Sequence, residues 1–363
     1  MTAVPDDTML DDPARLTGAD VDGVLRAAAM AGAQVRATAQ AASDAGLERL
    51  RGTQPRALVL ITRPGLGPGG FHLLAALLRP SCPVPLVIGH RVPPWIGPLD
   101  VVLAHTDDPG DSELAESIHL AGRYGAQVVL TAPGDGPVAA AAAGRAVLLE
   151  PRLAVRPGFG FATVFTSGLL ATDALGLLAV NTEALADELD REAERDHMQH
   201  ETFVNPAKTL ALRLAERTPL LWGLDHVATA VARHATQVLT THTGLVCDVA
   251  GYAQAMSRTA LHRAAVAATT SDDIFADPDI DGPAAPRLRP MLLAVRATPT
   301  DPLRQLAERT LPGADVLAPT DEIDGDEPTC AAVLALRFEL AALYLGLAAG
   351  TTGGSGRYAP VGT

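Results

Sequence analysis

Short apolar runs alternate with helix-forming stretches along most of this chain, and this alternation limits the fold more than any other feature. The runs ALVLIT (57–62), VPLVIG (84–89) and LDVVLAHT (99–106) are followed by AQVVLTAP (126–133) and AVLLEP (146–151). Short buried strands separated by helices predict βαβ units and a largely parallel sheet with both faces covered. We therefore predict the α/β fold class, with a parallel sheet flanked by helices in three layers.

The same pattern begins again at Thr218. TPLLWG (218–223), PMLLAVRA (290–297) and ADVLAP (314–319) predict a second set of strands, after a helical stretch at about 160–216. Two similar α/β halves joined by helices are the expected organisation. The predicted segments are N-terminal helices (1–50), a first domain (51–160), a helical connection (161–204), a second domain (205–350) and a flexible tail (351–363).

The charge of the chain argues against two classes of partner. Its formal net charge is -14, whereas nucleic-acid and anionic-membrane binders need clustered positive charge. The longest apolar run, AAVLALRFELAALYLGLAAG (331–350), contains Arg337 and Glu339, so we predict a buried amphipathic helix and not a membrane span. We expect no nucleic-acid partner and no membrane partner.

The cysteines and the N-terminus indicate a cellular compartment. Cys82, Cys247 and Cys330 are far apart and form no CxxC pair, which favours free thiols over a disulfide framework. The acidic start MTAVPDDTMLDDP has no apolar segment of the kind a secretory signal needs. A soluble, cytoplasmic protein is the expectation.

A glycine-rich turn follows the first predicted strand and opens a helix. In TRPGLGPGGF, Gly65, Gly67 and Gly70 fit GxGxxG, a spacing that lets backbone amides approach a pyrophosphate. The next strand ends in His90 and Arg91, where a dinucleotide fold would place an acid for the ribose hydroxyls. A nucleotide-dependent oxidoreductase is therefore the least favoured function.

Two other patterns resemble metal sites without completing one. His197 and His200 are three apart in a predicted helix, but no third ligand is evident. The run at 277–282 begins like a calcium loop, yet Leu288 stands where the bidentate glutamate belongs. We expect no metal and no cofactor.

The order of several segments resembles a known family. NPAKTLALRLAERTPLLWG (205–223) is similar to the start of the second half of bifunctional phosphoglucose/phosphomannose isomerases, which belong to the sugar isomerase (SIS) superfamily. MLDDP, the LLAALL helix, VPPWIGPLDVVLAHT and YLGLAAG match the same family in order, so the resemblance spans roughly residues 9–350. It implies two SIS domains, each a parallel sheet flanked by helices, and a homodimer with sites near the subunit interface.

The resemblance also implies a reaction and a ligand. The family interconverts hexose 6-phosphates between aldose and ketose through an enediol, which needs an anion cradle and a base that moves a proton between adjacent carbons. The implied ligand of this chain is a small-molecule sugar phosphate or a derivative of one.

The substrate-binding positions implied by the resemblance are altered in the first half. The serine of the family's glycine-rich turn, which begins here at Gly65, falls on Leu66. The family's phosphate loop, SYSGNTEE, corresponds to TDDPGDSE: Thr106 keeps a hydroxyl, but Asp108 replaces the second serine and Asp111 the threonine. Carboxylates this close to a bound phosphate would repel it, whereas Asp111 suits a helix N-terminus.

The catalytic positions implied by the resemblance are altered as well. The family segment RWKTQLNENAK corresponds to RHATQVLTTHT, which keeps Arg233, Thr236 and Gln237 but places Thr240 at the position of the glutamate base. His262 is a loosely placed candidate for the family histidine that assists ring opening.

These substitutions favour a SIS-fold, carbohydrate-derivative-binding protein without the family isomerase activity. The alternative is an active isomerase with a rearranged site, in which His242 or His262 transfers the proton. The third hypothesis is the oxidoreductase that would use the glycine-rich turn.

Overall fold

The computed structural model describes residues 5–79, 81–270 and 287–353. The Asp-rich run at 277–282 and residues 354–363 of the predicted tail lie outside these residues. In chain order the strands are β1 (Ala57–Ile61), β2 (Leu86–Gly89), β3 (Asp100–His105), β4 (Gln127–Thr131), β5 (Ala146–Leu149), β6 (Thr218–Gly223), β7 (Asp248–Gly251), β8 (Leu288–Leu293) and β9 (Asp315–Leu317). The helices are α1 (Pro13–Ala19), α2 (Val24–Ala29), α3 (Ala31–Asp44), α4 (Pro68–Leu78), α5 (Ser112–Arg123), α6 (Gly136–Ala142), α7 (Phe161–Ala174), α8 (Thr182–Arg195), α9 (Pro206–Leu214), α10 (His226–Thr243), α11 (Tyr252–Ser257), α12 (Thr259–Thr270), α13 (Pro302–Thr310) and α14 (Glu327–Ala349).

The strands form two parallel sheets, which confirms the predicted α/β class. The first sheet has the order β2-β1-β3-β4-β5 and the second the order β7-β6-β8-β9. Every strand pairing in the described residues is parallel. Parallel neighbours require crossover connections, and the helices between the strands supply them.

The first sheet is buried because helices cover it. Every residue of β1 and β3 is buried, as expected for central strands with helices on both faces. Val59 and Val102 belong to one apolar cluster that includes Leu114 and Ile118 of α5 and Val138 of α6. The helix α5 packs on the sheet in this cluster and begins beyond the carboxyl end of β3.

The second sheet contains one strand that the sequence pattern did not predict. All eight predicted strands match observed strands within a few residues: seven correspond to β1–β6 and β8, and ADVLAP corresponds to β9. The missed strand β7 is a four-residue edge strand, and three of its four residues are only partly buried. A strand that short carries too little apolar periodicity to stand out from the flanking loop.

The described chain divides into two compact units. Residues 30–190 contain the first sheet, and the described residues before 30 and after 190 contain the second. Residues before 30 join the second unit through contacts such as the hydrogen bond from the Asp6 N–H to the Ala348 carbonyl (3.0 Å). The domain bounds derived from the sequence remain a prediction.

The C-terminal helix α14 is buried around its whole circumference. By length and composition it is apolar enough to cross a membrane, yet 94% of its most apolar window is buried inside the protein. Arg337 and Glu339 are buried too, each with an oppositely charged or histidine partner. The predicted burial is therefore confirmed, but the predicted amphipathic character is wrong, because α14 is buried from Pro328 to Ala349 and exposes no polar face there.

The NPAK segment, the most specific part of the resemblance, has a structural role. The Asn205 side chain caps α9 by accepting a hydrogen bond from the Lys208 N–H (2.8 Å). The Lys208 side chain is fully buried, and its Nζ donates to the carbonyls of Met198 (2.8 Å) and His200 (2.7 Å). This lysine therefore ties the turn after α8 to α9.

A second buried polar group lies at the end of α8. The Asp196 carboxylate accepts a hydrogen bond from the Ala207 N–H (2.8 Å), and the residue is 1% exposed. Burial, and then the nearby Glu192 carboxylate, raise the pKa of Asp196 to about 8. Glu192 is itself paired with the Arg337 guanidinium (2.6 Å). Asp196 is therefore mostly protonated at neutral pH in the folded protein.

Candidate functional site

A cavity of about 680 Å³ lies in the unit formed by residues 30–190. Its walls are the loop from β1 to α4, the loop from β3 to α5, and residues at 157–158 and in α7. Because β1 and β3 are parallel neighbours, both loops leave the same edge of the sheet. In open α/β sheets, ligands bind at this carboxyl edge.

The glycine-rich turn forms one wall of the cavity, and packing accounts for two of its glycines. A Cβ on Gly70 would lie 2.8 Å from the backbone nitrogen of Phe165 in α7, and a Cβ on Gly67 would lie 3.2 Å from Cδ2 of His105. Gly65 has a φ of 125°, which residues with a side chain rarely adopt. The close approach of α4 to α7 thus explains the last glycine without a bound pyrophosphate.

The loop after β3 forms the opposite wall, and side chains of the loop accept hydrogen bonds from its own backbone N–H groups. The Thr106 hydroxyl accepts a hydrogen bond from the Asp108 N–H (3.1 Å). The Asp108 carboxylate accepts one from the Gly110 N–H (2.8 Å). Thr106, Asp108, Asp111 and Gly65 all line the cavity, so the structure brings these four predicted residues together.

An arginine that the sequence did not single out pairs with the acids of this loop. Arg63 Nε donates to Asp111 Oδ2 (2.6 Å), and Nη2 donates to Asp111 Oδ1 (3.1 Å) and lies 2.7 Å from a Glu113 carboxylate oxygen. Asp111 also caps α5 by accepting from the Leu114 N–H (3.0 Å). Arg91 Nε donates to Glu113 (3.0 Å), and both arginines lower the pKa of Glu113. The acids at the start of α5 are therefore neutralised within the protein.

A histidine lies at the base of the cavity. The His105 side chain is 9% exposed, and within the described residues neither ring nitrogen has a hydrogen-bond partner. Its Nε2 lies 3.3 Å from Asp107 Oδ1, and contact with the ring lowers the pKa of Asp107. Because Nδ1 has no partner within the described residues, and a buried polar atom without one is costly for stability, His105 is a functional candidate.

The other predicted binding positions lie on α10, in the second unit. Arg233 and Thr240 are exposed and Gln237 is half-buried, and their spacing places the three residues on one face of the helix. The Thr240 hydroxyl donates to the carbonyl of Leu245 (3.2 Å). No carboxylate occupies this position of the chain.

Both histidines proposed as substitute bases have packing roles. The His262 ring stacks on Trp222 with centroids 5.7 Å apart, and its Nε2 lies 3.3 Å from the Tyr252 hydroxyl. Burial lowers the pKa of His242, and the carbonyl of His242 accepts a hydrogen bond from the Thr351 hydroxyl (2.6 Å). The stacking accounts for the His262 side chain without a ligand, whereas the hydrogen bond at His242 involves its backbone.

The histidine pair considered as a metal site lies in a turn. His197 and His200 follow the last residue of α8, so the predicted helical spacing is wrong there. Their ring centroids are 6.2 Å apart. The described part of the chain contains no group of three or more side chains placed to hold a metal ion.

The second sheet also presents backbone N–H groups at its carboxyl edge, and the Asp225 carboxylate accepts hydrogen bonds from them. Asp225 Oδ2 accepts hydrogen bonds from the N–H groups of Val295 (2.9 Å), Arg296 (2.8 Å) and Ala297 (3.2 Å). Its Oδ1 accepts from the Ala228 N–H at the start of α10 (2.8 Å). Asp225 thus joins the loop after β8 to the N-terminus of α10.

Comparison with known proteins identifies the fold. No family model and no curated protein sequence matches the chain. The C-terminal domain of glucosamine-fructose-6-phosphate aminotransferase from Francisella tularensis superposes with a TM-score of 0.59 at 8% identity, covering 92% of this chain and 96% of that chain. Tagatose-6-phosphate ketose/aldose isomerase from Escherichia coli superposes with a TM-score of 0.55 at 12% identity, covering 93% and 94%. The chain therefore has the fold of these two proteins, and at such identities the likeness concerns the fold alone.

Sequence reasoning missed two residues of the cavity, Arg63 and His105. Arg63 directly follows the first predicted strand, and His105 is near the end of the third. Polar residues at the carboxyl ends of neighbouring parallel strands meet at one edge of the sheet. That signal was present in the sequence and could have identified both.

Proposed function

We propose that this protein binds a carbohydrate derivative, of the sugar-phosphate class or closely related to it, in the cavity of the first sheet. The observation that carries the proposal is the cavity of about 680 Å³ at the carboxyl edge of β1 and β3, with His105 at its base. Its volume lies within the usual range for small-molecule sites. The fold shared with two proteins whose names contain sugar phosphates supports the same ligand class.

We also propose that the protein does not catalyse the aldose–ketose isomerisation of the resembling family. Thr240 stands where that family has its glutamate base, and its hydroxyl is engaged with a backbone carbonyl. A hydroxyl at this position is a far weaker proton acceptor than a carboxylate. The rearranged isomerase with His262 receives less support, because that ring is stacked on Trp222, and His242, whose pKa is lowered by burial, stays the alternative base.

A cavity-filling variant tests the binding proposal. Ser112 lines the mouth of the cavity, so Ser112→Trp should abolish the rise in melting temperature that a bound hexose or hexose derivative produces. Ser43→Trp is the matched control, because Ser43 is exposed and lies outside the cavity. A thermal-shift screen would use glucose, fructose, mannose and glucosamine, each with its 6-phosphate. Binding that survives in Ser112→Trp, or no response to any of these compounds, would contradict the proposal.

A homodimer of two-SIS-domain subunits completes the proposal. The helix α14 cannot supply its surface, because the helix is buried within the chain. Exposed apolar side chains elsewhere, such as Phe203 (79% exposed) and Val204 (55%), are better suited. Light scattering at micromolar concentration should give about twice the chain mass of 37.5 kDa, and a value equal to the chain mass would refute the dimer.

A further inference from the structure

We infer that Asp111 is a specificity-determining residue: its carboxylate occupies the anion position of the cavity, so that the cavity accepts an unphosphorylated carbohydrate derivative and rejects phosphate. The inference rests on the proposed function, because it narrows the ligand class of the same site. The observations behind it are the contacts of the Arg63 guanidinium, of the N-terminus of α5 and of the loop between β3 and α5.

The N-terminus of α5 and the Arg63 guanidinium together form the place where this cavity would hold an anion. Helix N-termini and forked guanidinium groups are the two protein features that bind phosphate best. Here the Asp111 carboxylate takes both: it receives two hydrogen bonds from Arg63 and one from the Leu114 N–H. These donors are of the kind that bind a phosphate, but the anion they hold is a side chain of the protein itself.

Two further backbone donors of the loop are also engaged. The Gly110 N–H donates to Asp108, and the Asp108 N–H donates to Thr106. Arg63 has a second carboxylate partner, Glu113. A phosphate that bound Arg63 in this place would have to displace the Asp111 carboxylate, which would then lie beside the negative charge of the phosphate without its arginine partner.

The rest of the cavity suits hydroxyl groups. The cavity lining includes the His105 imidazole and Asp107, whose carboxylate lies 3.3 Å from His105 Nε2 with 49% of its side chain exposed. A carboxylate accepts hydrogen bonds from the hydroxyl and amino groups of a sugar, and an imidazole nitrogen accepts or donates one. Recognition through these groups needs no phosphate on the ligand.

Phosphate binding by two variants tests the role of Asp111. Wild-type protein should show no saturable binding of inorganic phosphate or glucose 6-phosphate by calorimetry, and no more affinity for any hexose 6-phosphate than for the parent hexose. Asp111→Thr should gain at least about tenfold in phosphate affinity, because threonine still caps the helix and Arg63 loses one of its two carboxylate partners. Asp111→Asn keeps the capping oxygen and serves as the second variant if threonine impairs folding. Glu116→Gln is the matched control: it removes one negative charge from the same helix, and Glu116 is outside the cavity lining.

The outcomes separate this inference from the proposed function. Gained phosphate binding in both Asp111 variants, lost again when Arg63→Gln is added and absent in Glu116→Gln, would support the inference. Phosphate binding by the wild type that weakens in Arg63→Gln would overturn it, as would folded Asp111 variants with no gain. A wild type that binds no carbohydrate at all would overturn the proposed function, while the gain in the Asp111 variants would still decide whether Asp111 fills the anion position.

Discussion

Purified wild-type protein is expected to leave glucose, mannose and fructose 6-phosphates unchanged in coupled assays. The reaction needs a base that takes a proton from carbon, and Thr240 provides only a hydroxyl that already donates to the Leu245 carbonyl. General-base assistance alone is worth about 10²–10⁴-fold. The Asp111 carboxylate on Arg63 adds a second, independent defect in phosphate binding.

Restoring one position should therefore recover little activity. Thr240→Glu alone is expected to stay inactive, because the substrate phosphate would still be excluded. Thr240→Glu combined with Asp108→Ser and Asp111→Thr restores the residue types of the resembling family at all three positions, and it is the informative variant. Wild-type turnover within the ordinary range of about 1–10³ per second would contradict the proposal and favour the rearranged isomerase.

The stability of the folded protein is expected to decrease strongly as the pH rises. The pKa of Asp196 is raised from 3.8 to about 8 in the folded protein, so the folded state keeps a proton that the unfolded state releases above pH 4. Stability falls with pH wherever the unfolded state binds fewer protons. Between about pH 4 and pH 8 the free energy of unfolding should decrease by an amount on the order of a few kcal/mol from this residue.

Asp196→Asn isolates that contribution. The asparagine oxygen can still accept the hydrogen bond from the Ala207 N–H, and it has no charge to bury. The variant should unfold at nearly the same denaturant concentration as the wild type at pH 4–5 and should be the more stable protein at pH 8–9. Glu194→Gln, an exposed acid on the same helix, is the control and should follow the wild type. Equal pH dependence in Asp196→Asn and wild type would show that Asp196 is not protonated in the fold.

The sequence predicted the sheets well because parallel strands are buried on both faces. Runs such as ALVLI and DVVLAH are almost continuously apolar, and each matches a fully buried strand, β1 and β3. The edge strand β7 was missed because its sequence DVAG has only two apolar side chains, Val249 and Ala250, which leaves no distinct pattern. The helix α14 was expected to keep an exposed face, and the structure shows none. A linear sequence does not show how many neighbouring elements will pack around a helix.

The cavity could be predicted only in part. Thr106, Asp108 and Asp111 follow a recognisable strand, so their position at the sheet edge follows from topology. The repulsion expected from these acids did not account for Arg63, which is 48 residues away along the chain from Asp111 and 2.6 Å away from it in space. Pairings between distant charges depend on how two loops meet, and apolar periodicity carries no information about that.

The Asp225 carboxylate has a consequence for how the second sheet is stabilised. A group of backbone N–H donors that binds a molecule from solution stabilises the fold by an amount that depends on the concentration of that molecule. Asp225 presents its two oxygens to four backbone N–H groups from a position on the same chain, so its local concentration is fixed by the fold. The loop after β8 and the start of α10 are therefore held together to the same degree whether the surroundings are rich or poor in phosphate.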